Sequence, residues 1–272
     1  MTDELDPVRA HYDAAGLTAR LQTALAVFGP EDERLTPRQL APLDQFHTRG
    51  LAATAEIAEL AGITADMSVL DVGSGVGGPA RFVAAGRGCR VTGVDLSEAF
   101  VDAARYLTTR TGQTATVSFQ VASALALPFD DAAFDLVLLQ HVAMNVADRP
   151  RLYRGLRRVL RAGGRLAIHD VVATGAEPHY PVPWARTPAT SFLMTATATR
   201  AAVEAAGFAV VSWRDDTGAA KAWGAELRAS GPPPGPSLGI VMGSDFADLA
   251  GNLAKNLMQD RLGVVTAVFE TA

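Results

Sequence analysis

The stretch "SVLDVGSGVGGPARFVA", Ser68 to Ala84, decides the fold. A short apolar run, "SVLDV", has the length and β-branched content of a buried strand. It ends in an acid and passes at once into a glycine-crowded turn. "PARFVAA" then opens a helix with Pro79 in its first turn, where the missing N–H costs nothing. A strand, a glycine turn and a helix in this order make a cradle for a nucleotide-like ligand at a helix N-terminus.

Working outward, the same alternation repeats. "CRVTGVDL" is a second strand, and "SEAFVDAARYLTTRTG" a helix with Ser97 as N-cap. "TVSFQVA" is a third strand, "FDLVLLQ" a fourth, and "DRPRLYRGLRRVLRAGG" a helix ended by its glycines. "RLAIHDVV" is a fifth strand, "TRAAVEAAGFAVVSWRD" a helix and a sixth strand, and "LGVVTAVFE" a last one. Strands alternating with helices give right-handed crossovers and a parallel sheet covered on both faces. Residues 1–60 read as a helical cap without strands, and residues 61–272 as the sheet domain. Two segments break the rhythm. Residues 173–192, "ATGAEPHYPVPWARTPATSF", follow the fifth strand and carry four prolines, and "ASGPPPGPSLG" links to the last helix and strand. The first starts at the carboxyl edge of the sheet, where ligands bind in such folds, and is expected to be a lid.

The chain has 272 residues, 49% hydrophobic and 19% charged, with net charge −5. That balance argues against nucleic acid or an anionic membrane as partner. The one basic cluster, "RPRLYRGLRRVLRAGGR", has helical spacing and reads as a solvated helix face. One cysteine, Cys89, excludes an intrachain disulfide. The start "MTDELDPVRAHYDAAG" lacks a signal pattern, and no apolar run reaches about 18 residues, so a cytoplasmic location is expected.

"GSGVGG" fits G-x-G-x-x-G through Gly73, Gly75 and Gly78, and Asp95 ends the second strand about 20 residues on. This suits a dinucleotide, so an NAD-dependent oxidoreductase stays open. Asp71, two residues before the turn, would repel a pyrophosphate but suit a ligand with a cationic amine. The final strand after the sixth also departs from a second dinucleotide half.

"LDVGSGVGGPARFVA", "VTGVDLS", "ALPFDDAAFDLV" and "LRRVLRAGGRLAIHD" together resemble the class I S-adenosylmethionine-dependent methyltransferases. They are most similar to the small-molecule branch with the ubiquinone/menaquinone C-methyltransferases and the sarcosine/dimethylglycine N-methyltransferases. The resemblance implies an α/β, Rossmann-like fold with a seven-stranded, mostly parallel sheet, helices on both faces, and order 3-2-1-4-5-7-6 with the last strand antiparallel. It implies S-adenosylmethionine as cofactor and S-adenosylhomocysteine as product. Backbone at Gly73, Ser74 and Gly75 would pass close to the methionyl part and Asp71 near its amino group. Asp95 would accept the ribose hydroxyls, and Leu96 would pack on the adenine. Ser123 stands where the family often has an acid reaching the adenine, with the Ala124 N–H beside it. Gln140 falls near the methionine tail, as does His47 with Thr48 and Gly50.

The acceptor is expected to be a small, apolar or aromatic molecule, methylated on O, N or C. His141 and His169, at the tips of the fourth and fifth strands, are the candidate catalytic residues. A neutral imidazole with an ordinary pKa near 6.5 suits His141 as the base for a hydroxyl acceptor. Tyr12, Met144, His179, Tyr180 and Trp184 are candidates for the acceptor pocket, and no metal is expected. A methyltransferase-fold cyclase or isomerase that binds the cofactor without methyl transfer is the other reading of the same site.

Overall fold

In a computed structural model, residues 15–231 and 235–272 are described. Among the described residues, α1 (Leu17–Leu25), α2 (Pro37–Asp44) and α3 (Gly50–Leu60) are the α-helices that precede the sheet. The alternating part runs β1 (Ser68–Val72), α4 (Gly78–Arg87), β2 (Arg90–Asp95), α5 (Glu98–Arg110), β3 (Val117–Val121), β4 (Phe134–Gln140), α6 (Arg149–Val159) and β5 (Leu160–Ala173). Then come α7 (Ala196–Ala205), β6 (Phe208–Asp215), α8 (Thr217–Ser230), α9 (Leu238–Met242), α10 (Phe246–Met258) and β7 (Leu262–Thr271).

The seven strands form one sheet in the order β3-β2-β1-β4-β5-β7-β6. β1 to β5 pair in parallel, while β7 runs antiparallel between β5 and β6. The chirality of parallel crossovers places helices on both faces, so side chains alternate between two cores. Val69, Leu136 and Leu138 join α3, α4 and α5 on one face; Leu70, Val137 and Leu139 join Leu152 and Leu156 of α6 on the other. The reversal between β1 and β4 opens the crevice at the carboxyl ends where such sheets bind ligands.

Local chemistry explains the helix starts. Thr36 and Gln39 form a capping box before Pro37 at α2, the Ser97 hydroxyl caps α5 through the Phe100 N–H, and Asp148 caps α6. The sequence expectation fails at the end of α6. The helix stops at Val159, and Leu160 to Gly164 already belong to β5 rather than to a glycine-terminated helix. Leu160 pairs with Phe134 and Leu166 with Val137, but the register shifts between them and Gly163 sits at φ 71°, so the glycine stretch bulges out from the β4 edge. α8, with only Ala220 buried, carries too weak an apolar stripe to be read from the sequence. The arginines of α6 lie mostly outward but pin the loop before β4: Arg151 donates to the Leu125 carbonyl at 3.0 Å, and Arg158 to the Leu127 carbonyl and the Asp131 carboxylate, each at 2.8 Å.

Residues 173–192 are more than a flap. Val182, Trp184 and Ala185 are buried and share a cluster with Leu257 of α10 and Leu262 and Val264 of β7. Asn252 and Asn256 of α10 hydrogen-bond backbone of Pro181 and His179. No helix among the described residues is long and apolar enough to cross a membrane.

Candidate functional site

The glycine turn is shaped by backbone that side chains rarely adopt. Gly73 and Gly75 have φ of 70° and 53°, and a Cβ on Gly73 would meet Val142 Cγ2 at 2.4 Å. The amides of Gly73 and Ser74 both donate to the Val94 carbonyl, at 2.8 and 2.9 Å, and so fold the turn back over β2. Asp95 locks the next step: its Oδ2 accepts the Gly75 N–H at 2.8 Å and its Oδ1 the Ser97 N–H at 2.9 Å. The Leu96 N–H also reaches this carboxylate, and since a carboxylate has about four acceptor positions, one remains. Burial raises the Asp95 pKa, against the lowering effect of these backbone donors.

A cleft opens beside this turn at the carboxyl ends of β1, β2 and β4. Gly73, Gly75, Asp95 and Leu96 form one wall, and Ser123, Ala124 and Leu125 a second. Gln140, His141, Met144 and Asn145 form the floor, and Phe46, Phe100, Pro183, Trp184, Met242 and Leu253 close it with apolar surface. Gln140 is buried with neither Oε1 nor Nε2 partnered. Asp71 lies under the turn, outside the lining. Its carboxyl accepts the Ala80 N–H, Oδ2 has no partner, and burial first and then Asp95 push its pKa up to about 7. Ser74 also lies behind the lining, its hydroxyl without a partner. The Ser123 Oγ accepts the Leu125 N–H at 3.1 Å, which leaves the hydroxyl proton for a ligand. Each buried, unpartnered polar atom needs an explanation, and at Gln140, which lines the cleft, a bound group would supply one.

His141 sits at φ 54°, an uncommon conformation for a residue with a Cβ. Its N–H donates to the His169 carbonyl at 2.8 Å, which turns the chain across the tips of β4 and β5. Its ring stacks on that of His169, centroids 5.4 Å apart. His169 is fully buried behind it, and His47 completes the group at 5.6 Å from His169. Burial is the main cause that lowers all three pKa values, His47 to about 3, His169 to about 4, and His141 well below 6.5. The expectation of an ordinary pKa at His141 is therefore corrected: its ring is neutral at pH 7 and a weaker base than a free imidazole.

The structure brings together Gly73, Gly75, Asp95, Leu96, Ser123, Ala124, Gln140, His141, Met144 and Trp184 around one cleft. His47 does not line it; Nε2 lies 3.0 Å from both the Gly50 carbonyl and the Thr54 hydroxyl. His179 faces Gln259 at 2.8 Å, and Tyr180 packs with the cluster under residues 173–192. Tyr12 lies outside the described residues. Sequence reasoning missed Phe46, Met242 and Leu253, which reach the cleft from segments with no local signal for it.

Residues 70–168 match the family described as "Methyltransferase domain". The methyltransferase GfsG of Streptomyces halstedii is 37% identical over 133 residues, 49% of this chain and 48% of that protein. Residues 70–168 of the chain thus carry a methyltransferase domain. The 27-O-demethylrifamycin SV methyltransferase of Amycolatopsis mediterranei is 35% identical over 130 residues, 48% of this chain and 47% of that protein. The chain thus spans about half the length of the curated relatives it matches. The fold as a whole is similar to the geranyl diphosphate C-methyltransferase of Streptomyces coelicolor A3(2), with a TM-score of 0.73, 18% identity, and coverage of 100% of this chain and 99% of that one.

Proposed function

We propose that this methyltransferase domain binds S-adenosylmethionine in the cleft and moves its methyl group to a small, apolar or aromatic acceptor. The observation that carries the reading is the pairing of the glycine turn with buried, unpartnered polar atoms of Asp71 and Gln140 beside the Asp95 carboxylate. Gln140 and Asp71 would hold the methionine end, Asp71 directly or through a water. Asp95 would take the ribose hydroxyls, with Leu96 and Ser123 about the adenine. The cofactor supplies an electrophilic methyl group when bound.

The protein's own part is alignment and exclusion of water. Displacement at carbon needs the nucleophile held in line, and positioning supplies much of the rate. Phe46, Met144, Pro183 and Trp184 would offer apolar surface to the acceptor, and His141, which lines the same cleft, would take the proton of an acceptor hydroxyl. Titration calorimetry should show binding of S-adenosylmethionine and S-adenosylhomocysteine and none of NAD. NAD binding without a response to S-adenosylmethionine overturns the reading. With an acceptor in hand, a product heavier by one methylene unit means methyl transfer, whereas an unchanged mass means cyclisation or isomerisation.

A further inference from the structure

Behind His141 lies a buried chain of hydrogen-bonding groups that leads away from the cleft. His141 Nε2 is 3.2 Å from the Thr48 hydroxyl, and the Thr48 N–H points at the same nitrogen from 3.5 Å. His169 Nε2 is 3.1 Å from both the Thr48 hydroxyl and the Thr48 carbonyl. His169 Nδ1 is 2.8 Å from the Thr266 hydroxyl, which donates to Asp216 Oδ2. Asp216 is ion-paired with Arg214 and, at 3.4 Å, with Arg49; both arginines also pair with Glu56. Thr48, His169, Thr266 and Asp216 are all at most 4% exposed.

The proton directions follow by elimination. Asp216, held ionised by two arginines, only accepts, so Thr266 spends its one hydroxyl proton there. The Thr266 oxygen can then only accept from His169, which fixes a proton on Nδ1. With His169 neutral, its Nε2 carries a lone pair and takes the Thr48 hydroxyl proton. The Thr48 oxygen then takes a proton from His141 Nε2, which leaves the lone pair of His141 on Nδ1. Nδ1 has no partner among the described residues, and His141 lines the cleft. In this state two contacts are mismatched: the Thr48 carbonyl faces the lone pair of His169, and the Thr48 N–H faces a protonated Nε2.

One added proton removes both mismatches. We propose that Thr48 and His169 form a proton-accepting relay behind His141, which takes a proton from the acceptor at His141 Nδ1 and stores it on His169. The bond to hydrogen in the acceptor breaks and Nδ1–H forms. His141 Nε2 passes its proton to the Thr48 oxygen, and the Thr48 hydroxyl passes its own to His169 Nε2. His169 is then a cation, donating to the Thr48 carbonyl at one end and, through Thr266, to Asp216 at the other. His141 ends neutral, its Nε2 accepting from the Thr48 N–H and hydroxyl. The Thr48 backbone is thus set for the state after proton transfer. Burial, Arg49 and Arg214 oppose a cation at His169, and Asp216 favours it; His141 and His47 are its neutral ring neighbours. Thr48, His169, Thr266 and Asp216 act here as positioning residues.

The inference rests on His141 as the acceptor-side residue, but its test needs no acceptor. In protein labelled with 15N-histidine, nuclear magnetic resonance at pH 7 should find His169 protonated on Nδ1 and His141 on Nε2. As the pH falls, His169 should gain the charge while His141 changes tautomer at the same midpoint without becoming charged. Thr48→Val should abolish that coupled change, and Thr48→Ser should restore it. If acid unfolds the protein first, the pH 7 tautomers decide, with Thr48→Val losing the Nε2–H preference at His141 and Thr48→Ser keeping it. A neutral His169 protonated on Nε2, or a His141 that takes the charge itself, overturns the relay. Failure of S-adenosylmethionine binding would instead overturn the methyltransferase reading and leave the tautomers untouched.

Discussion

Asp95 Oδ2 accepts the Gly75 N–H at 2.8 Å, so the acid at the end of β2 also holds the glycine turn after β1. A ligand bound by Asp95 therefore meets a turn whose shape depends on the same carboxylate. Removing it takes away a ligand acceptor and a turn anchor together. Asp95→Ala should weaken S-adenosylmethionine binding by about 1.5–3 kcal/mol, the range for a hydrogen bond to a charged group. Calorimetry on Asp95→Asn separates the roles, since an amide oxygen keeps one N–H partner but not both. Unchanged affinity in both variants would remove Asp95 from the site.

Gly73 tests the turn from the other side. A Cβ there meets Val142 at 2.4 Å and is forced to φ 70°. Relief of the contact does not relieve the backbone, which costs about 1–2 kcal/mol for a residue with a Cβ. Gly73→Ala should lower Tm and cofactor affinity, and adding Val142→Ala should recover only part of the loss. Full recovery in the double variant would show that φ is not the constraint.

Trp184 is 2% exposed and donates from Nε1 to the Ser191 hydroxyl at 2.9 Å. It also faces the cleft, so packing and pocket depend on one ring. Trp184→Ala should cost about 3–5 kcal/mol of stability, the usual loss for a large buried aromatic residue. Denaturant titration checks this. A variant that loses no stability would return residues 173–192 to a detachable lid.

Much of this was legible in the sequence because each signal is local. The "DVGSGVGG" turn, the Ser97 cap and the alternation of apolar runs are set by neighbours in the chain, and the sheet follows from crossover chirality. Asp95 and Gln140, placed by resemblance, and His141, placed at a strand tip, line one cleft because strand tips at a switch point share one edge. Thr48, Thr266 and Asp216 were not legible, or only by resemblance, because pairings across 97 to 121 residues leave no periodic trace. Arg81 shows the same limit. Nothing in its neighbours along the chain marks it, yet it is fully buried and ion-paired with Asp44 of α2 at 2.9 Å. The depressed histidine pKa values likewise come from burial, a property of the assembled fold.

Asp71 gives a pH test of the site. Its folded pKa of about 7 stands above the ordinary carboxyl value of 3.8, because burial and the Asp95 charge disfavour the ionised form. A group whose pKa rises on folding binds its proton more tightly in the folded state. Its contribution to stability is fully present below pH 3.8 and is lost as pH rises through 7. Asp170, also raised to about 7 by burial, adds a slope of the same sign. Asp71→Asn removes only the first. The stability of the variant relative to wild type should therefore rise between pH 5 and pH 8, by an amount on the order of 1–3 kcal/mol at 1.36 kcal/mol per pKa unit. Binding should run the other way. An ammonium group near Asp71 favours the carboxylate, so S-adenosylmethionine should bind wild type more tightly as pH rises towards 7, with release of a proton below it. Urea titrations at the two pH values check the first part, and calorimetry in buffers of different ionisation enthalpy the second. A stability difference independent of pH, together with binding that exchanges no proton, would show that Asp71 is already ionised in the free protein and meets no cation in the complex.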